Sequence, residues 1–218
     1  MNTINIKESK NIKLMNRIDK KYVIDFNQFC LLSDYIVNNY YIVVDDSNKF
    51  LLSYKSIYFD TANLDMYNDH KLNVENRQKL RIREYENGDQ FLEIKTKSDN
   101  KTKKIRVNLD LYNIDHYMCW INDNLNYAYS AITPVLEINF KRLTLINKEK
   151  NSRITIDFGI SFKNYNTNIN KKIKEIVIEV KKSDESYITS FEKKLSSLNI
   201  EESKFSKYYI GINSTLKK

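Results

Sequence analysis

With 218 residues, 41% of them hydrophobic, the chain is long enough to close one sizeable core. Three Gly and one Pro leave no material for a glycine-rich phosphate loop or a dinucleotide fingerprint, so side chains have to hold any nucleotide. The net charge of +8, from 36 Lys and Arg against 28 Asp and Glu, suits an anionic partner without choosing between nucleic acid, phosphate chains and a membrane surface.

In chain order, a polar leader over residues 1–14 is expected to be flexible and to precede a single domain over 15–218. Arg17 to Ile24 reads as a strand with Arg17, Asp19 and Lys21 on one face. Asp25 then caps a helix in which Phe26, Phe29, Leu32 and Ile36 recur at helical spacing as far as Asn39. Leu51 to Asp60 alternates as a strand, Thr61-Ala62-Asn63 turns, and a short helix covers Leu64 to Asn68. Two further strands, Asn76 to Tyr85 and Gln90 to Lys97, flank Asn87-Gly88-Asp89, which predicts a hairpin whose register sets Arg81 and Arg83 near Glu93 and Lys95.

Lys103 to Leu109 is a strand carrying Lys104 and Arg106, and Asn113 to Leu125 a helix with Ile114, Tyr117, Met118 and Ile121 as its stripe. Strands over Val135 to Ile146, Arg153 to Phe158 and Lys174 to Lys181 follow, then a last helix capped by Asp184 with Tyr187, Ile188, Phe191, Leu195 and Leu198 on its apolar face. No run of about 18 apolar residues occurs, and the first twenty residues lack the apolar stretch of a signal peptide, so a cytoplasmic chain without direct membrane insertion is expected. Cys30 and Cys119, both in helix-like segments, read as buried free thiols. His70 and His116 lack neighbours at metal-ligand spacing, against a zinc site.

The strongest pattern is Arg77, Lys79, Arg81 and Arg83 at two-residue spacing, followed by Glu93-Ile94-Lys95-Thr96-Lys97. In an extended strand this spacing lines four cations on one face, where like charges repel unless something anionic sits among them, and Arg offers planar forks matched to phosphate oxygens. Basic rows are more often solvated sheet faces. Here, however, strand after strand pairs one apolar with one charged face, which a closed barrel with a charged interior and helices outside explains; an open two-layer sheet with one wet face is the alternative. Lys171, Lys172, Lys193 and Lys194 read as surface charge. External nucleic-acid binding would need a basic patch interleaved with aromatics, so no nucleic-acid partner is expected.

The chain resembles the VTC domain, the polyphosphate polymerase branch of the triphosphate tunnel metalloenzymes, related to the CYTH phosphatases. The resemblance rests on Arg17-Ile18-Asp19-Lys20-Lys21-Tyr22, Ser56-Ile57-Tyr58-Phe59-Asp60-Thr61, Lys79-Leu80-Arg81-Ile82-Arg83-Glu84-Tyr85 and Phe91-Leu92-Glu93-Ile94-Lys95. It continues through Arg153-Ile154-Thr155-Ile156-Asp157, Ile178-Glu179-Val180-Lys181 and Phe205-Ser206-Lys207-Tyr208, so that it spans almost the whole chain in order. It implies an α+β fold, an antiparallel eight-stranded β-barrel tunnel with helices packed outside, and transfer of the γ-phosphate of ATP onto inorganic polyphosphate.

By position, the resemblance implies that Lys21, Arg81, Arg83, Lys95, Arg142, Arg153 and Lys207 hold the reacting phosphates, with Lys79, Lys104, Lys181, Lys204 and Ser206 as further substrate contacts. It implies Mn2+ or Mg2+ at Glu179, with Glu93 as second contributor and Asp157 as another candidate; hard carboxylate oxygens suit either ion. Its partners are ATP and inorganic polyphosphate or triphosphate, with room for a membrane-protein partner. Where the CYTH relatives have E-x-E-x-K this chain has Arg17-x-Asp19-x-Lys21, which weakens metal binding there and favours the polymerase branch over a hydrolase.

Several residues keep two readings. Strict alternation groups Arg142 with Leu136, Ile138 and Phe140 unless a bulge near Phe140 shifts the phase. Glu179 can pair with Lys181 or a cross-strand Arg instead of a metal, and Arg153 and Asp157 can pair with each other or with neighbouring strands. Ser206 can bond phosphate or cap a C-terminal turn, and Tyr54, Tyr58, Tyr85 and Tyr208 can contact a nucleotide base or simply pack.

Overall fold

Alternating apolar and polar residues form most of the strands, and side-chain caps fix where the helices between them begin. The computed structural model describes residues 2–10, 18–98, 101–110, 114–125, 132–149, 151–182 and 187–216; Arg17 and Asp184 lie outside them. The strands are β1 (Asn2–Asn5), β2 (Ile18–Ile24), β3 (Tyr40–Val44), β4 (Leu51–Asp60), β5 (Arg77–Tyr85), β6 (Gln90–Ser98), β7 (Lys101–Asn108), β8 (Thr133–Asn147), β9 (Ser152–Asn164), β10 (Asn170–Lys172) and β11 (Ile176–Lys182). The helices are α1 (Ile6–Lys10), α2 (Phe26–Asn39), α3 (Asp65–Lys71), α4 (Met118–Asn124, after a 3-10 turn at Ile114–Tyr117), α5 (Ser190–Ser197) and α6 (Lys207–Thr215).

The main hydrogen-bonding order is β2-β11-β9-β8-β4-β5-β6-β7, eight strands, with β3 pairing β8, β1 pairing β3 and β10 pairing β9 beside it. The chain divides into two compact units, one of Met1–Ser53, Phe140–Ile160 and Lys172–Phe205, the other of Tyr54–Asn139, Ser161–Lys171 and Ser206–Lys218. No helix among the described residues is long and apolar enough to cross a membrane.

In the first unit, β11 pairs antiparallel with β2 and β9, Ile178 facing Tyr22 and Ile156. The even-numbered side chains Tyr22, Ile154, Ile156, Ile178 and Val180 enter a core with Leu32 and Ile36 of α2 and Phe191 and Leu195 of α5. Each such side chain contributes roughly 1.5–3 kcal/mol by leaving water. Helix α2 starts at Asp25, whose carboxylate accepts from the Gln28 amide at 2.8 Å while the Gln28 side chain accepts from the Asp25 amide at 3.0 Å. It ends where buried Tyr40 turns extended and the β-branched run Ile42-Val43-Val44 continues as β3. Strand β1 pairs parallel with β3, Ile4 opposite Val43.

In the second unit, β4, β5, β6 and β7 pair antiparallel in sequence. Phe59, Leu80, Ile82, Leu92 and Ile94 bury one face with Ile121 and Leu125 of the α4 segment. Helix α6 lies so close to its neighbours that a Cβ at Gly211 would meet side-chain carbons of Leu136 and Phe162 at 2.6 and 2.7 Å.

Several expectations need correction. Cys30 and Cys119 are free but exposed, because each falls on the solvent side of its helix, and Phe26 is 66% exposed despite its place in the apolar pattern. Helix α3 begins after Leu64, which adopts a left-handed conformation (φ 56). Thr189 caps α5, with Glu192 completing a capping box, so Tyr187 and Ile188 precede the helix rather than form its face. Strand β9 extends to Asn164, while β11 starts only at Ile176.

Candidate functional site: two charged sheet faces

Residues directly opposite on antiparallel strands share a sheet face, so the register of the second unit assembles its polar surface row by row. Arg77 stands opposite Lys97, and Lys79 opposite Lys95, which is itself opposite Lys104. Next come Tyr58, Arg81, Glu93 and Arg106 in one row, then Ser56, Arg83, Phe91 and Asn108, and last Tyr54 with Tyr85. The hairpin thus places Arg81 directly across from Glu93, with Arg83 and Lys95 in the rows on either side, as the turn signal implied. Three lysines abreast are a costly arrangement for a sheet.

Glu93 is the one carboxylate among these rows. Its side chain is 1% exposed; Oε2 accepts from Arg81 Nε at 2.9 Å and Nη2 at 2.7 Å, and Oε1 from Lys104 Nζ at 3.1 Å. Burial by itself would raise its pKa, but Arg81 and then Lys104 hold it at about 2. Arg81 donates through Nη1 to the Tyr58 hydroxyl at 3.0 Å and lies over the same ring. Removing Arg81 therefore takes the bidentate partner from a buried carboxylate and leaves Lys104 alone beside it. Burial likewise opposes ionisation of Tyr58, yet the cations Arg81 and Arg83 pull its pKa down.

The start of α6 is fastened to this face. Ser206 caps the helix, its Oγ accepting from the Tyr209 amide at 3.3 Å, and accepts from Lys79 Nζ at 2.9 Å. Tyr208, 1% exposed, stacks on Tyr58 with ring centroids 4.8 Å apart and donates to Asp60 Oδ2. Asp60 is fully buried and also accepts from the Thr61, Met66 and Tyr67 amides at 2.8, 2.9 and 3.0 Å. Desolvation pushes the Asp60 carboxyl and the Tyr208 phenol up. Lys207 occupies the first helical position, where a cation opposes the helix dipole.

The polar face of the first unit is built differently. Lys21, Glu179 and Thr155 form one row, and Asp19, Lys181 and Arg153 the next. Lys181 Nζ sits 2.7 Å from Glu179 Oε2, Lys21 Nζ donates to the Phe205 carbonyl at 2.6 Å, and Arg153 Nη2 donates to the Ser9 carbonyl at 2.5 Å. Asp157 does not pair with Arg153 in these contacts but takes a bidentate fork from Arg142, Nε to Oδ1 at 2.6 Å and Nη2 to Oδ2 at 2.8 Å. Along β8, burial runs through Leu136, Ile138 and Phe140 and then through Leu143 and Leu145. The phase changes at Lys141-Arg142, which is what frees Arg142 for Asp157. Lys204 is exposed.

For a divalent ion the carboxylates differ. Glu93 does not fit, because both its oxygens already hold cations, and Asp157 is spent on Arg142 in the same way. Glu179 fits the chemistry of a hard ion: beside it in register is the buried Thr155 hydroxyl, which has no hydrogen-bond partner among the described residues. Lys181 and Lys21 flank it, so an ion there suits Glu179 best when it brings phosphate oxygens with it. Among the described residues no group of three or more His, Cys, Asp or Glu forms a metal cluster.

Tyr58, Asp60, Phe91 and Arg106 complete these arrangements; Tyr58 kept two readings from sequence, base contact or packing, and the other three were named within their segments without a site role. The signal was present for two of them, since Tyr58 and Asp60 share the Ser56–Thr61 segment with a two-residue offset from each other.

The VTC domain profile matches the chain in two stretches, residues 16–130 and 122–216. A putative adenylyl cyclase from Hippeastrum, described as having a dominant triphosphatase activity, superposes with a TM-score of 0.59 at 16% identity, over 92% of this chain and 97% of its own. That likeness shows a common fold, of the α+β triphosphate tunnel type. A putative adenylate cyclase from Vibrio parahaemolyticus gives a TM-score of 0.49 at 12% identity, over 91% of this chain and 98% of its own. No curated protein matches the chain in sequence.

Proposed function

The chain belongs to the VTC domain family, and from that membership we propose that residues 15–218 work as a polyphosphate polymerase, moving the γ-phosphate of ATP onto the end of a growing inorganic polyphosphate chain. The observation that carries this reading is the block of Lys79, Lys95 and Lys104 abreast with Arg81 and Arg83 beside them. A polyanion suits such a block, and fixed cations stabilise the charge that spreads over a transferring phosphoryl group without reorganising.

In the transfer, a terminal oxygen of polyphosphate forms a bond to the γ-phosphorus while the bond from the β,γ-bridging oxygen breaks, leaving ADP. The attacking oxygen is already anionic, so no strong base is required. Lys21, Arg81, Arg83, Lys95, Arg142, Arg153 and Lys207 hold donor and acceptor oxygens in line, and Lys79, Lys104, Lys181, Lys204 and Ser206 support them. Glu93 serves as the brace that fixes Arg81. Mn2+ or Mg2+, held at Glu179, supplies neutralisation of phosphate charge when bound. The proposed setting is the cytoplasm, where ATP is available, with room for a membrane-protein partner.

Purified protein incubated with ATP and Mn2+, with and without a short polyphosphate primer, tests the reading when phosphate products are resolved by length. A ladder with stoichiometric ADP supports it. Orthophosphate without a ladder would instead favour a triphosphatase using water as acceptor, the activity attributed to the Hippeastrum protein. Tight triphosphate binding without turnover would favour a sensor.

A further inference from the structure

We infer that the half-buried aromatic cluster of Tyr54, Tyr85 and Phe91, with Arg106 over it, is the seat of the nucleobase of the phosphate donor; this rests on the reading of the cation face as a triphosphate site. The register makes the cluster a continuation of that face. Tyr54 and Tyr85 are opposite one another in the row after Ser56 and Arg83, and Phe91 is opposite Arg83. Going along β5 from Arg81 to Tyr85 covers four residues, about 14 Å at 3.4 Å per residue. A nucleotide laid along the strand therefore meets cations with its terminal phosphates and aromatic rings with its other end.

The rings meet edge to face in a half-buried cluster. Tyr54 and Tyr85 have centroids 5.2 Å apart at 63°, Tyr85 and Phe91 5.7 Å apart at 86°. The Arg106 guanidinium lies 4.3 Å over the Phe91 centroid and that of Arg83 5.6 Å from the Tyr54 centroid. None of the three rings belongs to the apolar core of this unit, which occupies the opposite face. All three are of intermediate exposure, and Arg106 is exposed. Aromatic rings mixed with guanidinium planes bind the π-face of any base, and without edge hydrogen bonds they do so with little regard to which base it is.

The other two tyrosines with a base-contact reading lie deeper. Tyr58 and Tyr208 are 7% and 1% exposed, stacked on each other and bonded to Arg81 and Asp60. The structure thus separates two tyrosines that brace the phosphate side from two that stand where a base would lie.

Calorimetric titration of the full chain with ATP, GTP and inorganic triphosphate, each under the same salt and Mg2+, tests the assignment. Wild type is expected to bind ATP and GTP within about threefold of each other. Tyr85→Ala should weaken both nucleotides about tenfold while leaving triphosphate within twofold, and Tyr85→Phe should restore nucleotide binding. Arg106→Ala, which also removes a cation of the phosphate face, should weaken nucleotides more than it weakens triphosphate, and circular dichroism of each variant checks that it is folded. Equal losses for nucleotide and triphosphate, or no loss for either, would overturn the inference while the triphosphate site stood. Wild-type protein that bound no triphosphate would remove the phosphate reading and this inference together.

Discussion

Two polar sheet faces of the same chain manage charge in opposite ways. In the first unit, cations and acids alternate across the strands: Lys181 meets Glu179, Arg142 meets Asp157, and Lys21 and Asp19 stand beside them. In the second, Arg77, Lys79, Arg81, Arg83, Lys95, Lys97, Lys104 and Arg106 share a face with Glu93. A compensated face is stable by itself and yields little when an anion arrives. Under the proposed function an anionic occupant recovers the cost of that excess, which makes the second face the one whose energetics depend on ligand.

The largest test of that contrast is on stability. Glu93→Ala leaves Arg81 and Lys104 beside a buried site without their counter-charge and should cost about 3–5 kcal/mol in urea unfolding; Asp157→Ala should cost a similar amount, since it strands Arg142 in the same way. Polyphosphate in the buffer should recover more of the loss in Glu93→Ala than in Asp157→Ala. Equal recovery would erase the distinction between the faces.

Acid titration sharpens it. The folded pKa of Glu93, about 2, lies below its ordinary value of 4.5, so its contribution is fully present above pH 4.5 and is lost as pH falls towards 2. The stake is on the order of 3 kcal/mol, and Glu93→Gln should flatten that segment of the stability profile. Should the wild-type and Glu93→Gln curves run parallel between pH 4.5 and 2, the brace is not electrostatic.

Binding comes next in size. Lys79→Ala and Lys95→Ala should each weaken triphosphate about tenfold or more, whereas Lys181→Ala, whose ammonium is already matched by Glu179, should weaken it less than threefold. A reversed order in filter binding or calorimetry would make the first unit the dominant phosphate holder.

Helix caps give the smallest effects. Thr189→Ala and Ser206→Ala should each cost about 1 kcal/mol of stability, but only Ser206→Ala, which also removes the acceptor of Lys79, should lower triphosphate affinity.

The elements that alternate strictly were readable from sequence: β4 coincides with Leu51 to Asp60, and the hairpin around Gly88 stands where Asn87-Gly88 placed it. Runs without alternation were not. Tyr40–Val44 is almost wholly buried, so no polar phase marks it as a strand, and α6 is a short helix whose apolar positions are interrupted by Gly211 and Asn213. Alternation also assigns a residue to a face without saying which neighbour it meets. That is why Asp157 kept both Arg153 and the neighbouring strands as partners until Arg142 was seen to reach it from β8, and why Glu93 looked like a ligand although Arg81 and Lys104 occupy its oxygens. The phase change at Arg142 was detectable only because charge and alternation disagreed there.

Asp60 joins two times in the life of the chain. Its bonds to Thr61, Met66 and Tyr67 can form as soon as that stretch of backbone exists, whereas its bond to Tyr208 closes a separation of 148 residues. Contacts so far apart pay their loop entropy late. During synthesis the carboxylate can therefore organise α3 first and then wait, with the Tyr58 ring and the slot for Gly211 open, until α6 arrives to close them. The same helix sets Ser206 and Lys207 in place, so a nascent chain carries its lysine block before it carries the helix that completes it.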